Sequence, residues 1–292
     1  MASGYTTTSA VADSLPEWIM SARKVREYDG MMPQLVDRQT LGEGLGNTWQ
    51  EVSFAQLNAQ AVTESTVLEN YQQIADTNLA ITPSVIGIAV LITQRVRARI
   101  AKVALGELGG LAQAAVGRKK NDDGLTAVDG ATTSLAGAGT TLTSGHIAAA
   151  SSRIRGNTTE PGPDPINCVL HPFQIKDLFD ELVAGVGTYA VPDGPTSKVF
   201  QQGFKLPIDN TNIYPDGNIA VNSSTDDAKG GVFSKMGLIL VQGRAPRAYN
   251  EFHPEIGGGS DVVFHYDEYA YGERSPGNWL YEIYSDAAVP TS

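Results

Sequence analysis

Residues 261–285 read DVVFHYDEYAYGERSPGNWLYEIYS and set Asp267, Glu268 and Glu273 among tyrosines. Carboxylates beside aromatic rings are the parts of a sugar-cleaving cleft, in which one acid protonates the glycosidic oxygen and a second carboxylate works from the other side of the bond. Strand alternation puts Tyr266, Glu268 and Ala270 on one face and His265, Asp267, Tyr269 and Tyr271 on the other. Adjacent Asp267 and Glu268 then point apart and cannot flank one bond. The return segment, Trp279 to Tyr284, is apolar on both faces, as in a strand buried between layers. The stretch therefore reads as a structural hairpin closed by the turn ERSPGN.

No other constellation assembles. His146, His171, His253 and His265 show no metal-ligand spacing, so no metal is expected. GGGSD at 257–261 lacks the strand-turn-helix setting of a nucleophilic serine. GAGTTLTSG lacks the Gly-Lys-Ser/Thr ending of a phosphate loop, and no cofactor is expected. The clusters NDDG and TDDAKGG miss the calcium-loop spacing and read as solvated turns. Cys168, the single cysteine, lies in the apolar run INCVL and reads as a buried small hydrophobe, not a nucleophile. No catalytic residue is expected, and a carbohydrate-active hydrolase built on the tyrosines is the reading of another class.

Composition narrows the classes further. With 292 residues and 41% apolar side chains, the chain can fill at least one sizeable core. A formal charge of −11 excludes a dedicated nucleic-acid binder, whose affinity comes from Lys and Arg neutralising phosphates, and leaves only weak, local contact with DNA. The start, MASGYTTTSAVADSLPEW, has neither the basic segment nor the apolar core of a secretory signal, so glycans on Asn157 and Asn222 are not expected. The longest strongly apolar run, Val85 to Ile92, falls far short of the roughly 20 residues that span a bilayer, and no membrane segment is expected.

The positioning elements follow from periodicity and caps. Ser14 with Glu17 makes a capping-box pattern, Pro16 stands in the first turn and Gly30 at the stop, which predicts a helix over 15–29. Its apolar stripe of Trp18, Ile19, Ala22 and Val25 is broken by charge and needs a larger surface, such as another subunit, to dock on. Residues 41–82 are polar, and alternation in TWQEVSF and QQIADTNLAIT predicts two strands of a long projecting hairpin, an arrangement marginal in water without a partner surface. Val85 to Ile92 reads as a strand buried on both faces. Val96, Ile100, Val103, Ala104, Leu108, Leu111, Ala112 and Ala115 then mark one face of a helix about 25 residues long, capped by Thr93 and ended by the segment closing at Gly124.

Two features of that helix look outward. Gly106, Gly109 and Gly110 each cost about 1 kcal/mol relative to Ala, which implies close approach by another backbone. Arg95, Arg97 and Arg99 stand at the positive end of the macrodipole. An acidic neighbour in another subunit, a phosphate surface or a solvated basic turn each account for them. Residues 124–144 are small and polar and form a boundary. A helix over 144–156 follows, then the strand INCVL with a helix from Pro172 to Gly185, and short strands in FKLPIDNTNIYPDGNIAV and GGVFSKMGLILVQGR.

This order, with LAITPSVIGIAVLITQRVRARIAKVALGELGGLAQAAVGRKKNDDGL as strand and spine helix, INCVLHPFQIKDLFDELVAG as an axial strand and helix, and YAYGERSPGNWLYEIYSDA as closing strands, resembles the major capsid protein of tailed bacteriophages over nearly the whole chain. The resemblance implies an α+β, Hong Kong 97-type capsid fold with an N-arm (1–40), an extended β-hairpin loop (41–80), a peripheral domain with the long spine helix (81–139), an axial domain (140–243) and closing strands (244–292) that return to the peripheral domain. It implies a structural protein, not an enzyme, that self-assembles in the bacterial host cytoplasm into hexamers and pentamers of an icosahedral virion capsid enclosing double-stranded DNA. Its implied partners are further copies of itself, a separate scaffolding protein, a portal, a decoration protein and, weakly and without specificity, packaged DNA. Candidate intersubunit contacts are Trp18, Trp49, Phe54, Arg95, Arg99, Gly106 and Gly109. No charged helical segment precedes the arm, and the initial Met speaks against a fused scaffolding domain. Residues 41–82 hold no lysine, so the loop-lysine isopeptide cross-link of some members is not carried over. Encapsulins, cellular shells around cargo enzymes, share this fold, and the sequence leaves that alternative open.

Overall fold

The structure, a computed structural model, describes residues 30–44, 46–65, 71–99, 102–186, 207–256 and 258–291. The helix expected over 15–29 lies outside them. In chain order come α1 (Met32–Leu35), β1 (Asp37–Thr40), β2 (Trp49–Phe54), β3 (Asp76–Ile81), β4 (Ser84–Thr93), α2 (Gln94–Arg99) and α3 (Lys102–Asp129). There follow β5 (Ser134–Ala136), α4 (Ser144–Arg155), β6 (Ile166–Leu170), α5 (Pro172–Val186), β7 (Thr211–Pro215), β8 (Asp227–Ser234), β9 (Leu238–His253), β10 (Ser260–Glu273) and β11 (Leu280–Asp286). The chain divides into two compact units. One holds residues 85–119 and 245–267, the other residues 29–84, 120–244 and 268–292, and α3, β9 and β10 run through both.

The larger unit is built on a five-stranded sheet of order β5-β11-β8-β6-β7. INCVL forms β6 with all five side chains buried, as its apolar run requires. It runs parallel to β7 and antiparallel to β8, with Cys168 opposite Val232. Helix α4 lays Ile147, Ala150 and Ile154, spaced by three and four, against this sheet. Leu178 of α5 joins the same core. Each fully buried Leu or Ile contributes about 1.5–3 kcal/mol. Cys168 lies in the middle of the cluster, and burial pushes its thiol pKa far above the ordinary value.

Helix α3 does not stop at Gly124 but continues to Asp129. Local propensity favoured a stop; tertiary packing overrides it. A Cβ on Gly124 would lie 3.0 Å from Met32 Cβ and 3.1 Å from the Tyr271 ring, so glycine lets α1 and β10 approach the helix axis. At the helix end Val128 presses on β8, where a Cβ on Gly231 would sit 2.2 Å from Val128 Cγ1. The small-residue stretch after Gly130 supplies β5, which pairs in parallel with β11.

NDDG is not a solvated turn but part of α3, and of the two acids in TDDAKGG only Asp226 is exposed whereas Asp227 is buried. Asn121 of NDDG is fully buried in α3, accepts a hydrogen bond from Met32 N at 3.1 Å and donates one to Asp216 Oδ2 at 2.8 Å. Asp123 accepts one from the Tyr269 hydroxyl at 2.9 Å. In TDDAKGG, Asp227 is buried, taking Gly139 N at 2.7 Å and the Tyr284 hydroxyl at 3.2 Å. The Gly139 hydrogen bond is the main reason that its carboxyl titrates below the usual range. These carboxylates and amides are internal ties, because a buried backbone N–H needs a partner and a short acidic side chain supplies one.

The terminal stretch is not a hairpin. Strand β10 pairs within a four-stranded sheet of order β1-β9-β10-β4, whereas β11 lies between β5 and β8 in the five-stranded sheet. The turn ERSPGN carries the chain from one sheet to the other and is pinned from outside itself. Arg274 N donates to Gly237 O at 2.9 Å, Ser275 Oγ to Glu160 Oε2 at 2.8 Å, and Trp279 Nε1 to Glu160 O at 2.8 Å. These non-local bonds defeat the local pairing that adjacency suggested. The first four residues of β11 are buried, as its two apolar faces required.

In the smaller unit β9, β10 and β4 are neighbours in that order. Strand β4 is not buried on both faces. Ile86, Ile88, Val90 and Ile92 are half-buried, while Val85, Gly87, Ala89 and Leu91 are exposed, Val85 by 65%. It is an edge strand with helix α3 residues Ala115 and Val116 beside one of its faces.

Candidate functional site

Among the described residues of the larger unit, the hairpin carries most of the exposed large apolar side chains. β2 and β3 pair antiparallel from Trp49 opposite Ile81 to Phe54 opposite Asp76, as the alternation of TWQEVSF and DTNLAIT dictates. One face is a root. Trp49, Leu79 and Ile81 pack with Ile239 and Val241, and further out Ser53 and Thr77 hydroxyls meet at 3.2 Å. The other face carries Val52 and Phe54, 48% and 71% exposed, with nothing apolar opposite them, since their cross-strand partners are Asn78 and Asp76. Beyond the strands Ala55 N donates to Ala75 O at 2.9 Å and Asn58 N to Gln72 Oε1 at 2.8 Å, prolonging the arm. Leu57, Val62 and Ile74 are exposed there, and Tyr71 is 94% exposed.

An ionic clasp holds the root. Arg274, whose side chain is only 10% exposed, donates from Nη2 to Asp37 Oδ2 at 2.7 Å, from Nε to Glu51 Oε2 at 2.8 Å and from Nη1 to Met236 O at 2.9 Å. It thus ties β2 to β1 and to the β8–β9 turn. Burial raises the Asp37 carboxyl, but the hydrogen bonds and charge of Arg274 outweigh it and leave the pKa below the ordinary value. Burial likewise disfavours the charged guanidinium, and Glu51 and Asp37 over-compensate. Reading the sequence missed this clasp, treating Arg274 as a turn residue. The signal was present: Arg274 is the only Lys or Arg after Arg247, in a segment rich in Asp and Glu.

The structure distributes the sequence-derived contact residues unevenly. Trp49 is half-buried at the root, Phe54 projects, and Arg95 is exposed on α2. Gly106 and Gly109 lie in α3, but what surrounds them, the Arg97 and Arg99 side chains, and Trp18 all fall outside the described residues. Further along the same helix, Gly124 does meet such a close approach, from Met32 and Tyr271.

The terminal carboxylates do not converge on a cleft. Asp267 is buried, Glu268 faces Arg244 at 3.4 Å, and Glu273 accepts Gly277 N at 3.0 Å. Burial raises the Glu273 pKa against that hydrogen bond, a consequence of a closed turn. Asn157 and Asn222 serve as local backbone caps, accepting from Thr159 N and Ser224 N. Among the described residues no cluster of three His, Cys, Asp or Glu is placed to hold a metal, and no helix is long and apolar enough to cross a membrane.

No family model and no curated protein matches the sequence. Solved structures do match. The cyanophage Pam1 capsid asymmetric unit superposes with a TM-score of 0.72 at 12% identity, over 99% of this chain and 100% of that one. The capsid structure of cyanophage P-SCSP1u gives 0.71 at 12% identity over 92% of each chain. The acidic stable capsid structure of Helicobacter pylori bacteriophage KHP30 gives 0.71 at 11% identity over 97% of this chain and 99% of that one. The chain has the mixed α and β fold of phage capsid proteins from end to end.

Proposed function

We propose that this chain is a major capsid protein: a structural, non-enzymatic subunit of a tailed-phage head that assembles with copies of itself into hexamers and pentamers enclosing double-stranded DNA. The observation that carries the reading is the end-to-end likeness to phage capsid subunits, in a chain whose clasped hairpin holds Val52 and Phe54 in solvent. An apolar face held out in solvent favours an interface between copies over a private core. The N-arm, the hairpin and the helix α3 are the assembly elements on this reading, and a scaffolding protein, a portal and a decoration protein are its further partners. The net charge of −11 restricts contact with DNA to scattered basic positions.

Electron microscopy of the purified protein tests this directly. Closed shells are expected from the intact chain, and a variant lacking residues 55–70 should remain folded without building them. A persistent monomer under all assembly conditions would overturn the reading. Shells from the shortened chain would remove the hairpin from the lattice contacts. Nuclease-protected DNA within particles from infected cells separates a phage head from a cellular compartment that carries proteins.

A further inference from the structure

Two histidines stand at helix entrances, His146 in the first turn of α4 and His171 immediately before α5. In both, the ring nitrogen Nδ1 accepts a backbone N–H, from Thr143 at 3.2 Å in one and from Phe173 at 3.2 Å in the other. A nitrogen that accepts an N–H carries no proton of its own, so each ring is held as the neutral tautomer with its hydrogen on Nε2.

The α5 entrance is built into the core. His171 N donates in return to Gln174 Oε1 at 3.0 Å, a reciprocal cap with Pro172 at the first helical position. Gln174 is fully buried, and its Nε2 donates to Ala228 O on β8 at 3.0 Å and to Ser285 Oγ on β11 at 2.7 Å. The cap therefore fastens α5 to two strands of the five-stranded sheet. His171 is itself buried, its ring meeting Phe173 edge to face at 4.5 Å.

A second proton is poorly received there. The imidazolium would stand at the positive end of the α5 macrodipole. Asp216, buried and the carboxylate whose charge acts on the ring, already accepts Asn218 N on Oδ1 at 2.9 Å and Asn121 Nδ2 on Oδ2 at 2.8 Å. Other charged groups on the surrounding elements are engaged elsewhere: Lys176 with Asp180, Asp177 with Leu142 N, Asp227 with Gly139 N and the Tyr284 hydroxyl, Lys229 with Asp129, and Asp286 with Ala288 N. Burial lowers the His171 pKa, and Asp216 offsets only part of that. The α4 entrance differs, because Glu181 accepts Ser144 N at 2.7 Å and Asp177 accepts Leu142 N at 3.4 Å. Two carboxylates keep it closed beside a charged His146.

We propose that His171 is an acid-released latch: it holds the α5 entrance closed while Nδ1 is bare, and a proton there frees the first turn of α5 from β8 and β11. The latch is a property of the single subunit and does not depend on the shell reading. Its sign is fixed. A histidine whose folded pKa is lowered lends its full stability above the unfolded value, about 6.5, and loses it as pH falls through the folded one.

Hydrogen exchange from about pH 7.5 to about pH 5, with each rate corrected for intrinsic exchange at that pH, tests the latch. The amides of residues 173–176 should open about fivefold more often at the acid end, the change that corresponds to a lost helix cap. Those of Ile166–Leu170 and of residues 144–147 should not change. His171→Asn, whose side-chain oxygen accepts at every pH, should abolish the acid step. Asp216→Asn, which removes the negative charge near the ring, should move the step to lower pH. Circular dichroism near pH 7.5 checks that both variants fold. Protection of the α5 entrance that is independent of pH in the unaltered protein overturns the proposal, whatever the variants do. So does an acid step that persists in His171→Asn, or one in which Ile166–Leu170 opens equally, since that is general acid unfolding.

Discussion

Replacing Arg274 with Met tests whether the hairpin is an independently hinged arm or a rigid projection. The substitution keeps much of the aliphatic stem and removes three hydrogen bonds, two of them to carboxylates. Charged hydrogen bonds contribute about 1.5–3 kcal/mol each. Removing one member of a buried ion pair costs about 3–5 kcal/mol because the partner is left uncompensated. Glu51 is 35% exposed and Asp37 17%, so water recovers part of that loss, and about 3 kcal/mol in total is the reasonable figure. The effect should be local. Hydrogen exchange should accelerate in Trp49–Phe54 and Asp76–Ile81 while Ile166–Leu170, in the separate five-stranded sheet, stays protected. The pH dependence has a defined sign. Asp37 titrates below its ordinary value when folded, so its contribution is full above the unfolded pKa, about 3.9, and fades as pH falls through the lower folded value. Acid should therefore loosen the hairpin of the unaltered protein, and the Met variant should lose that acid-dependent step. Unchanged protection of the hairpin amides in the variant would refute the clasp.

Three other substitutions probe helix α3. Gly124→Val should destabilise by about 2 kcal/mol through contact with Met32 and Tyr271, whereas Gly117→Ala, with nothing within 4 Å of the new methyl, should stabilise by up to about 1 kcal/mol; paired thermal melts check both. Asn121→Leu leaves Met32 N and Asp216 without their shared partner and should cost about 2–4 kcal/mol in urea unfolding. Cys168, fully buried with its thiol pKa pushed up by burial, should resist a thiol-specific reagent at pH 9 in the folded protein and react at once in denaturant.

Elements set by a local period were legible. INCVL and its following helix, the helix over 144–156 and both hairpin strands appear within a few residues of where spacing and caps place them. Each is decided by neighbours three, four or two residues away. The misreadings share the opposite property. ERSPGN looks like a hairpin turn because the residues within it favour a turn, but its partners are Glu160 and Gly237, more than thirty residues distant in the chain. Gly124 looks like a helix stop because glycine is costly in a helix, and the compensation comes from Met32 and Tyr271. NDDG and TDDAKGG look solvated because short charged runs usually are, and the groups that hold Asn121, Asp123 and Asp227 arrive from Met32, Tyr269, Gly139 and Tyr284.

The features that still lack an account within one subunit point in a single direction. A clasp with three ties would be an expensive device for a surface loop with no task, since ordering each residue of an arm costs about 1–2 kcal/mol of backbone entropy. It becomes intelligible when the arm must leave the subunit at a fixed angle, because a preordered interface element loses less entropy on association. The exposed face of β4, the outward Val52 and Phe54 and the basic opening of α2 are each unfavourable or neutral in an isolated chain. Their costs are small enough for one subunit to tolerate, and a lattice contact repeated at every copy would convert all three into stabilising terms.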